Sequence, residues 1–374
     1  MKIGYDAKRA FCNGTGLGNY SRMVIGGVAN GAWGAECYMY TPEVRGSLGA
    51  ELLSGSSRLL VPRGLWRVVP SLWRTVRTGR KAKSDGVVLF HGLSHELPCF
   101  LPKGMKRVVT MHDLIVRRYP GFFKPADRLI HRLKQRHACR VADVVVAISE
   151  QTKRDLVELM GIPEEKIKVV YQSCDPIFWE HKGVQGCKEV RERYGLPERY
   201  IICVGTVEER KNQATVVRAL AQLPEDVALV IVGRPRGSYP QEVRRVAKEL
   251  GVENHVIFLE KARFADFPAL YAGAVASVYM SVFEGFGIPV LESMCCDTPV
   301  VTSKVSSMPE AGGEAALYAD PMDADTVAAH LRRLLDDPAF RQAQIEKGRF
   351  QRLVFAPEKV SADMMAVYRS LLDD

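Results

Sequence analysis

Short apolar runs alternate with amphipathic stretches of helix length along almost the whole chain. Such runs are typical of strands buried on both faces, and the intervening stretches have the spacing of helices packed on a sheet. The pattern therefore predicts an α/β protein with parallel sheets covered by helices. The predicted strands are residues 2–6, 37–40, 87–91, 108–112, 144–148 and 167–171 in the first half, and 200–205, 227–233, 256–259, 274–280 and 299–302 in the second.

The length of the chain indicates more than one domain. Its 374 residues exceed what a single hydrophobic core usually supports, so we expect two domains, residues 1–178 and 187–355. Between them, residues 174–186 combine Asp175-Pro176 with a polar tract from His181 to Gly186, a composition typical of a linker. Residues 357–372 have the length and periodicity of a helix.

The composition is ordinary for a soluble globular protein, with 47% hydrophobic and 25% charged residues. No apolar run approaches the roughly eighteen residues of a membrane span, and Met1 opens directly onto a predicted strand. We therefore expect a cytoplasmic protein without a signal peptide. The nine cysteines include no C-x-x-C pair and predict reduced thiols rather than disulfides or a zinc site.

Charge divides unevenly between the two halves. Residues 1–180 hold 28 Lys+Arg against 16 Asp+Glu, whereas residues 181–374 hold 24 against 27. We therefore expect the first half to bind an anionic partner or surface. The common nucleic-acid-binding signatures are absent from the sequence, so we do not predict a nucleic-acid partner.

One basic segment runs from Arg63 to Lys83 and contains seven basic residues and no acidic one. Apolar residues at positions 65, 69, 72 and 76 follow helical spacing, although Pro70 is expected to split the segment. A basic amphipathic surface with tryptophans is typical of a peripheral contact with the inner face of the cytoplasmic membrane. The alternative is that the apolar side chains face the core while the arginines are solvated. A second basic stretch covers residues 117–140.

The most informative segment is residues 284–292, EGFGIPVLE. It follows a predicted buried strand, and Pro289 marks a helix start, which places Glu284 on a loop and Glu292 in the first helical turn. Each glutamate has a structural alternative when it is considered alone. Glu292 is then an acid matched to the helix dipole, and Glu284 is an exposed loop residue.

Considered together, the parts of this segment match the parts of a sugar nucleotide. Free backbone N–H groups of Gly287, Ile288 and Val290 at the helix N-terminus would face the phosphates. The carboxylates would accept hydrogen bonds from diols, Glu292 from the ribose and Glu284 from the transferred sugar.

Five segments, in this order, carry a family pattern. They are GTGLGNY (14–20), VVTMHD (108–113), VGTVEERKN (204–212), EGFGIPVLE (284–292) and SMPEAGGE (307–314). With them, nearly the whole chain resembles the retaining glycosyltransferases of family 4, also called group 1. The resemblance implies the GT-B fold, two Rossmann-like doubly wound domains that face a central cleft containing the active site. It also implies that residues 356–374 pack back on the first domain.

The resemblance and the chemistry of the residues together give a candidate site. Arg210 and Lys211 would stabilise the charge of a departing nucleoside diphosphate, and the alternative is a solvated pair at a helix start. His112 would hydrogen-bond the sugar or a phosphate oxygen, and the alternative is a satisfied core histidine. The predicted catalytic residues are Glu284, Lys211, Arg210 and His112. The predicted donor-binding residues are Gly16, Gly205, Thr206, Gly285, Phe286, Gly287, Ile288 and Glu292.

Many other glycosyltransferases hold a divalent cation through an Asp-x-Asp pattern. Asp323-Ala324-Asp325 matches that pattern, but an amphipathic run follows it directly, which is typical of a helix cap. We therefore expect transfer without a metal or another cofactor.

The expected activity is hexose transfer from a nucleotide sugar to a glycan or lipid-linked glycan in cell-surface polysaccharide synthesis. The family resemblance implies retention at the anomeric carbon, with GDP-mannose as the first candidate donor and UDP-sugars as the second. Two other functions stay open. One is a sugar-nucleotide epimerase or hydrolase with the same fold, and the other is a non-catalytic, membrane-associated binding protein.

Overall fold

The computed structural model describes residues 1–53, 55–180 and 186–373. The chain divides into two units, the first formed by Met1–Ser173 with Ala356–Asp374 and the second by Cys174–Phe355. Each unit has a fully parallel sheet covered by helices, which confirms the predicted fold class. Within the described ranges, no helix has both the length and the hydropathy needed to cross a membrane. The nine cysteines are all described, and all are free thiols.

Seven strands form the sheet of the first unit. They are β1 (Lys2–Asp6), β2 (Glu36–Tyr40), β3 (Ser57–Leu60), β4 (Leu89–Gly92), β5 (Lys106–Met111), β6 (Val144–Ala147) and β7 (Ile167–Val169). Their order is β3-β2-β1-β4-β5-β6-β7, the order of a doubly wound Rossmann-like sheet. The helices that precede the second unit are α1 (Lys8–Cys12), α2 (Gly16–Asn30), α3 (Pro70–Leu72), α4 (Thr78–Ser84), α5 (Ile115–Arg118), α6 (Pro125–Val141) and α7 (Glu150–Met160).

The second unit repeats this arrangement with six strands. They are β8 (Tyr200–Val204), β9 (Ala228–Val232), β10 (Val256–Leu259), β11 (Ala276–Tyr279), β12 (Val300–Ser303) and β13 (Ala316–Ala319). Their order is β10-β9-β8-β11-β12-β13, again with the progression reversing beside the first strand of the unit. The helices are α8 (Pro176–Trp179), α9 (Cys187–Tyr194), α10 (Gln213–Leu220), α11 (Tyr239–Glu249), α12 (Phe267–Ala272), α13 (Ile288–Cys295), α14 (Met308–Gly312), α15 (Ala324–Asp336) and α16 (Pro338–Gln351).

The central strands carry continuous apolar runs because helices cover both faces of each sheet. Every residue of β8 and β9 is buried, and Ile201 and Ile231 of these strands pack in one core with Val217 of α10 and Leu331 of α15. The sequence pattern missed two of the four edge strands, whereas β7 and β10 were predicted although they too are only partly buried. β3 and β13 lie at sheet edges and are only partly buried, so neither has a continuous buried run.

The predicted linker contains a short helix, α8. The carboxylate of Asp175 caps it by accepting a hydrogen bond from the N–H of Ile177 at 3.2 Å, and Pro176 occupies the first helical position. The polar tract of residues 181–185, HKGVQ, lies outside the described residues.

The last helix, α17 (Pro357–Leu372), spans the residues that the sequence pattern predicts. It packs on α2 of the first unit, where Gly27 allows close contact. A Cβ atom at Gly27 would lie 2.0 Å from Oγ of Ser361. Further along α17, the hydroxyl of Tyr368 lies 2.6 Å from Nδ1 of His91, at the end of β4. The helix therefore completes the core of the first unit.

The basic segment of residues 63–83 is divided at Pro70, as predicted. A 3-10 turn precedes Pro70, and α3, a π-helical turn over Trp73–Arg77 and α4 follow it. The alternative assignment of its side chains is wrong for the apolar residues at 65, 69 and 72, which are exposed, and for Arg74, but right for the other arginines, which are exposed. Leu65 is 89% exposed, whereas the guanidinium of Arg74 is largely buried, donating hydrogen bonds to Asp6 at 2.9 Å and to Glu96 at 2.8 Å.

Candidate active site

The loop after β11 holds Glu284 through its backbone. The Glu284 N–H donates to Oγ of Ser306 at 3.1 Å, and that hydroxyl lies 2.6 Å from the Glu284 carbonyl. Ser307 donates to the carbonyl oxygens of Glu284 and Phe286, at 3.0 and 2.8 Å. The main chain on both sides of Gly285 is therefore fixed by the segment that follows β12.

Four side chains converge on one carboxylate oxygen of Glu284. Oε1 lies 2.5 Å from Nζ of Lys211, 2.5 Å from a guanidinium nitrogen of Arg210, 2.8 Å from the hydroxyl of Tyr279 and 2.6 Å from Oγ of Ser281. Only 13% of the Glu284 side chain is exposed. We call these five residues the Glu284 cluster. Glu284 is therefore not an exposed loop residue, and Arg210 and Lys211 are not a solvated pair.

The electrostatics of the cluster favour its charged form. Burial would raise the pKa of Glu284, but Lys211 and Arg210 outweigh it and lower that pKa to about 2. Burial lowers the pKa of Lys211, and Glu284 opposes that shift. The guanidinium of Arg210 also donates to Glu208 at 2.8 Å. Two cations and two carboxylates therefore lie together at this site.

A residue that the sequence pattern did not identify fixes the end of the loop carrying Lys211. Asn212 has a φ of 54°, and its side-chain amide donates to the carbonyl of Pro321 at 2.6 Å and of Met280 at 3.2 Å. Left-handed backbone is tolerated by asparagine more readily than by most residues. The sequence pattern also missed Tyr279 and Ser281. The alternation of side chains along a strand does not distinguish a residue that points into a site from one that points into the core.

Gly205 and Thr206 follow the end of β8. Gly205 has a φ of 141°, and a Cβ added to it would lie 3.9 Å from Cε of Lys211. The carbonyl of Thr206 accepts a hydrogen bond from the side chain of Gln213 at 3.1 Å. The structure therefore brings this turn beside the Glu284 cluster.

The structure around the N-terminus of α13 corrects two predictions, one about the N–H group of Val290 and one about the side chain of Phe286. The N–H of Val290 donates to the carbonyl of Gly287 at 2.9 Å, so it is part of the helical turn. Phe286 is buried with its ring edge-on to Phe355, at 5.1 Å between centroids, so its side chain belongs to the core. Gly287 has a φ of 113° immediately before Ile288, the first residue of α13.

Glu292 differs from the sequence prediction in its position and in its environment. It is the fifth residue of α13, and the first turn contains no acidic residue, so it is not an acid matched to the helix dipole. Its carboxylate is buried and accepts a hydrogen bond from the hydroxyl of Tyr271 at 3.0 Å. Burial raises its pKa to about 7, and the nearby Asp175 adds to that shift.

His112 lies in the first unit, directly after β5. Its Nε2 lies 2.9 Å from the carbonyl of Leu93 and must carry the proton, because a carbonyl oxygen only accepts. Burial lowers the pKa of His112 to about 3, so the ring is neutral and Nδ1 is a hydrogen-bond acceptor. The ring of Tyr20 meets it edge-on at 4.6 Å. Asp113 accepts from the N–H of Ile115 at 3.1 Å and orders the following loop.

The first glycine loop leads into α2. Gly16 is the first residue of that helix, and a Cβ added to it would meet nothing within 4 Å. Close packing instead requires Gly18, where a Cβ would lie 1.7 Å from the carbonyl oxygen of Asn13. The open space beside Gly16 leaves its backbone approachable.

The Asp-x-Asp pattern forms a helix cap, as predicted. The carboxylate of Asp323 accepts from the N–H of Thr326 at 3.0 Å and from its hydroxyl at 2.6 Å, at the start of α15. In the part of the chain that the structure describes, no group of three His, Cys, Asp or Glu side chains is arranged to hold a metal ion.

Two family profiles match consecutive parts of the chain. Residues 16–177 match the profile described as Glycosyltransferase Family 4, and residues 188–351 match Glycosyl transferases group 1. The O-antigen chain mannosyltransferase B of Escherichia coli is 30% identical over 288 residues, which cover 76% of this chain and 74% of that protein. The chain belongs to glycosyltransferase family 4, group 1.

Solved structures show that this glycosyltransferase shares its fold with other proteins. Sucrose-phosphate synthase from Thermosynechococcus elongatus has a TM-score of 0.77 at 21% identity, covering 100% of this chain and 99% of that one. HepE of Anabaena, in complex with UDP and glucose, has a TM-score of 0.76 at 19% identity, covering 99% of this chain and 100% of that one. At these identities the likeness shows the fold, and that fold is GT-B, as the sequence resemblance implies.

Proposed function

We propose that this glycosyltransferase moves a hexose from a nucleotide sugar to a glycan or lipid-linked glycan acceptor in cell-surface polysaccharide synthesis, with retention at the anomeric carbon. Mannose from GDP-mannose is the first donor to test. The O-antigen mannosyltransferase of Escherichia coli, at 30% identity, supports that choice of sugar and of acceptor class. The Anabaena protein with UDP and glucose makes UDP-glucose the second donor.

The observation that carries the proposal is the Glu284 cluster. Loss of a nucleoside diphosphate develops negative charge on the leaving oxygen. Preorganised cations in a low-dielectric site stabilise such charge. Removing one hydrogen-bond donor from a comparable site costs about 3 kcal/mol of transition-state stabilisation. Lys211 and Arg210 are held ready by contacts with Glu284 at 2.5 Å, so they would need little reorganisation when the phosphate arrives. Glu284 would also accept hydrogen bonds from the hydroxyls of the transferred sugar.

The other predicted residues have complementary roles in this proposal. The backbone at Gly205, Thr206, Gly285, Gly287 and Ile288 would approach the nucleotide and its phosphates, as would the backbone at Gly16 and Phe286. Glu292 would accept hydrogen bonds from the ribose. Neutral His112 would accept a hydrogen bond from a sugar hydroxyl through Nδ1, because an unprotonated nitrogen is unsuited to a phosphate oxygen.

The proposed chemistry is substitution on one face of the sugar. The bond between the anomeric carbon and the phosphate oxygen breaks, and a bond from that carbon to the acceptor oxygen forms on the same face. The acceptor proton passes to the leaving phosphate oxygen, and an oxocarbenium-like sugar is stabilised electrostatically between the two events. Arg210 and Lys211 supply the positive charge, so we propose that the reaction needs no metal ion.

The test is a transfer assay on the purified full chain, with GDP-mannose or UDP-glucose and a lipid-linked glycan, with and without EDTA. We expect transfer by the wild type in both conditions, an α-linked product by NMR and loss of transfer in Glu284→Ala and Lys211→Ala. Lys188→Ala, at a largely exposed lysine of the same unit, is the matched control and should retain activity.

Three results would contradict the proposal. Near-normal turnover in both variants would remove the Glu284 cluster from the mechanism. Consumption of donor without an acceptor would indicate an epimerase or hydrolase. Binding to lipid with neither donor binding nor turnover would indicate a non-catalytic protein.

We also propose that the enzyme contacts the inner face of the cytoplasmic membrane. In residues 63–83, Leu65 and Val68 are almost fully exposed among arginines. In α6, Leu129, Ile130 and Leu133 are at least half exposed on a helix rich in basic residues. Apolar insertion combined with about 1 kcal/mol per cation near anionic lipid suits such a surface.

Vesicle co-sedimentation tests this contact. Binding should require anionic lipid, weaken with salt and fall in the double variant Leu65→Gln, Val68→Gln. Equal binding to zwitterionic vesicles, or no effect of the variant, would count against the segment of residues 63–83.

A further inference from the structure

His95 has a backbone conformation that is rare for a residue with a side chain. Its φ is 62°, in the left-handed region, and its N–H donates to the carbonyl of Thr110 at 3.0 Å. Such a conformation costs about 1–3 kcal/mol and persists only where the surroundings fix it. His95 lies in the loop between β4 and β5, outside every motif that carries the family resemblance.

The strained residue makes a specific contact with His112. The backbone N–H of His112 donates to Nε2 of His95 at 2.8 Å, and the two rings lie 5.3 Å apart between centroids. A nitrogen that accepts an N–H cannot itself carry a proton, so this contact requires neutral His95. The left-handed backbone is therefore coupled to an unusual hydrogen bond from main chain to imidazole.

The same loop also fixes the ring of His112. The carbonyl of Leu93 accepts the proton of His112 Nε2 at 2.9 Å. His95 thus holds the main chain of His112 while Leu93, two residues earlier, holds its ring. Together they leave Nδ1 of His112 as the nitrogen with a free lone pair.

Ion pairs anchor this loop at the next residue. Glu96 accepts from Arg74 at 2.8 Å and from Lys134 at 2.9 Å, and Arg74 also binds Asp6 at the end of β1. The loop is therefore tied to the basic segment of residues 63–83 and to α6. Such bracing is what a rigid hydrogen-bond acceptor needs.

We propose that His95 is a positioning residue, which fixes the main chain of His112 so that its Nε2–H reaches the carbonyl of Leu93 and its Nδ1 accepts a hydrogen bond from the sugar. The inference rests on the role of His112 in the proposed function. The left-handed conformation is retained because it aims the imidazole of His95 at the N–H of His112.

The test uses His95→Gly, because glycine adopts a positive φ without strain while the imidazole is lost. Losing one hydrogen bond of this kind should lower kcat about tenfold, with the KM for the donor changed less than twofold. The unfolding temperature should change little, because relief of the positive φ offsets the lost hydrogen bond. Asp297→Gly is the matched control, since it relieves a similar φ of 56° in the second unit and should leave kcat unchanged.

Two further measurements separate positioning from a general structural role. In a His112→Ala background, His95→Gly should lower kcat no further, whereas a full additional loss would overturn the proposal. Nitrogen-15 NMR of labelled histidines should show His112 as a single Nε2–H tautomer in the wild type and as a mixture in His95→Gly. Unchanged signals would also overturn it. The NMR measurement needs no substrate, so a wild type without turnover would contradict the proposed function and leave positioning to be decided independently.

Discussion

Glu284 and His112 are both ionisable, largely shielded from solvent and located after a strand, yet their surroundings favour opposite charge states. Lys211 and Arg210 lower the pKa of Glu284 to about 2, so the second unit holds three charges together. In the first unit, burial lowers the pKa of His91, His95 and His112 to about 3, 4 and 3, so that cluster is neutral.

The difference follows from the partners that each site offers. Around Glu284, opposite charges compensate each other at 2.5 Å. Around His91, the partners are the hydroxyls of Tyr368 and Thr110, which lie 2.6 and 2.8 Å from its ring nitrogens and cannot compensate a positive charge. A site of paired charges can exchange one anion for another, whereas a neutral site offers directed hydrogen bonds. This suits the first to a phosphate and the second to a hydroxyl.

Breaking the charged site should cause the largest loss of stability. In Glu284→Gln, two largely buried cations lose their shared carboxylate, which should lower the free energy of unfolding by about 3 kcal/mol. Adding GDP should restore much of this loss, because its phosphates replace the missing anion. Thermal unfolding with and without GDP measures both effects. An unchanged unfolding temperature would show that Glu284 is not needed to compensate these cations.

Glu292 is a buried carboxylate without a paired cation among the described residues, so its effect on stability should be opposite to that of Glu284. Its folded pKa of about 7 lies above the ordinary value of 4.5, so its contribution to stability is lost as pH rises through 7. Glu292→Gln should therefore be more stable than the wild type at pH 8, by about 3 kcal/mol, and nearly equal to it at pH 5. Chemical denaturation at the two pH values measures this difference. A variant that is less stable at pH 8 would contradict it.

Low pH should lower the stability contributed by the neutral histidines His91, His95 and His112. The folded pKa values of the three histidines lie below the ordinary 6.5, so their contribution is complete above pH 6.5 and is lost as pH falls toward 4. At pH 5 the loss should be about 2 kcal/mol for each fully buried histidine. His91→Gln should accordingly lose less stability than the wild type between pH 7.5 and 5. Parallel pH curves for the two proteins would show that His91 does not contribute.

The smallest expected loss of stability comes from a residue outside both sites, Asp323. Asp323→Ala removes the cap of α15 and should cost about 1 kcal/mol of stability with no change in kcat. Activity that depends on Asp323, or a response to added divalent cations that the variant lacks, would give the Asp-x-Asp pattern a role in catalysis. Thermal unfolding and the transfer assay together decide between these results.

Much of the fold follows from local patterns. Continuous apolar runs predicted nine central strands, which are buried on both faces, and the two edge strands β7 and β10. The missed β3 and β13 are partly exposed at sheet edges. Pro289 and the run from Pro357 likewise marked helix starts to within one residue, since proline in the first helical turn loses no intrahelical hydrogen bond. Glu292 was placed in the first turn but is the fifth residue of the helix, because the helix begins at Ile288 rather than at Pro289, and only its backbone defines that start.

The sequence by itself determined the fold class, the family and the chemical types at the site, because apolar period, glycine, proline and charge are properties of short segments. Tertiary structure decided which groups share a charge and which stay neutral. Glu284 is separated from Lys211 by more than seventy residues and Glu292 from Tyr271 by about twenty, and only folding sets their distances. Since Coulomb interactions and desolvation depend on distance and burial, two glutamates eight positions apart acquire pKa values of about 2 and about 7.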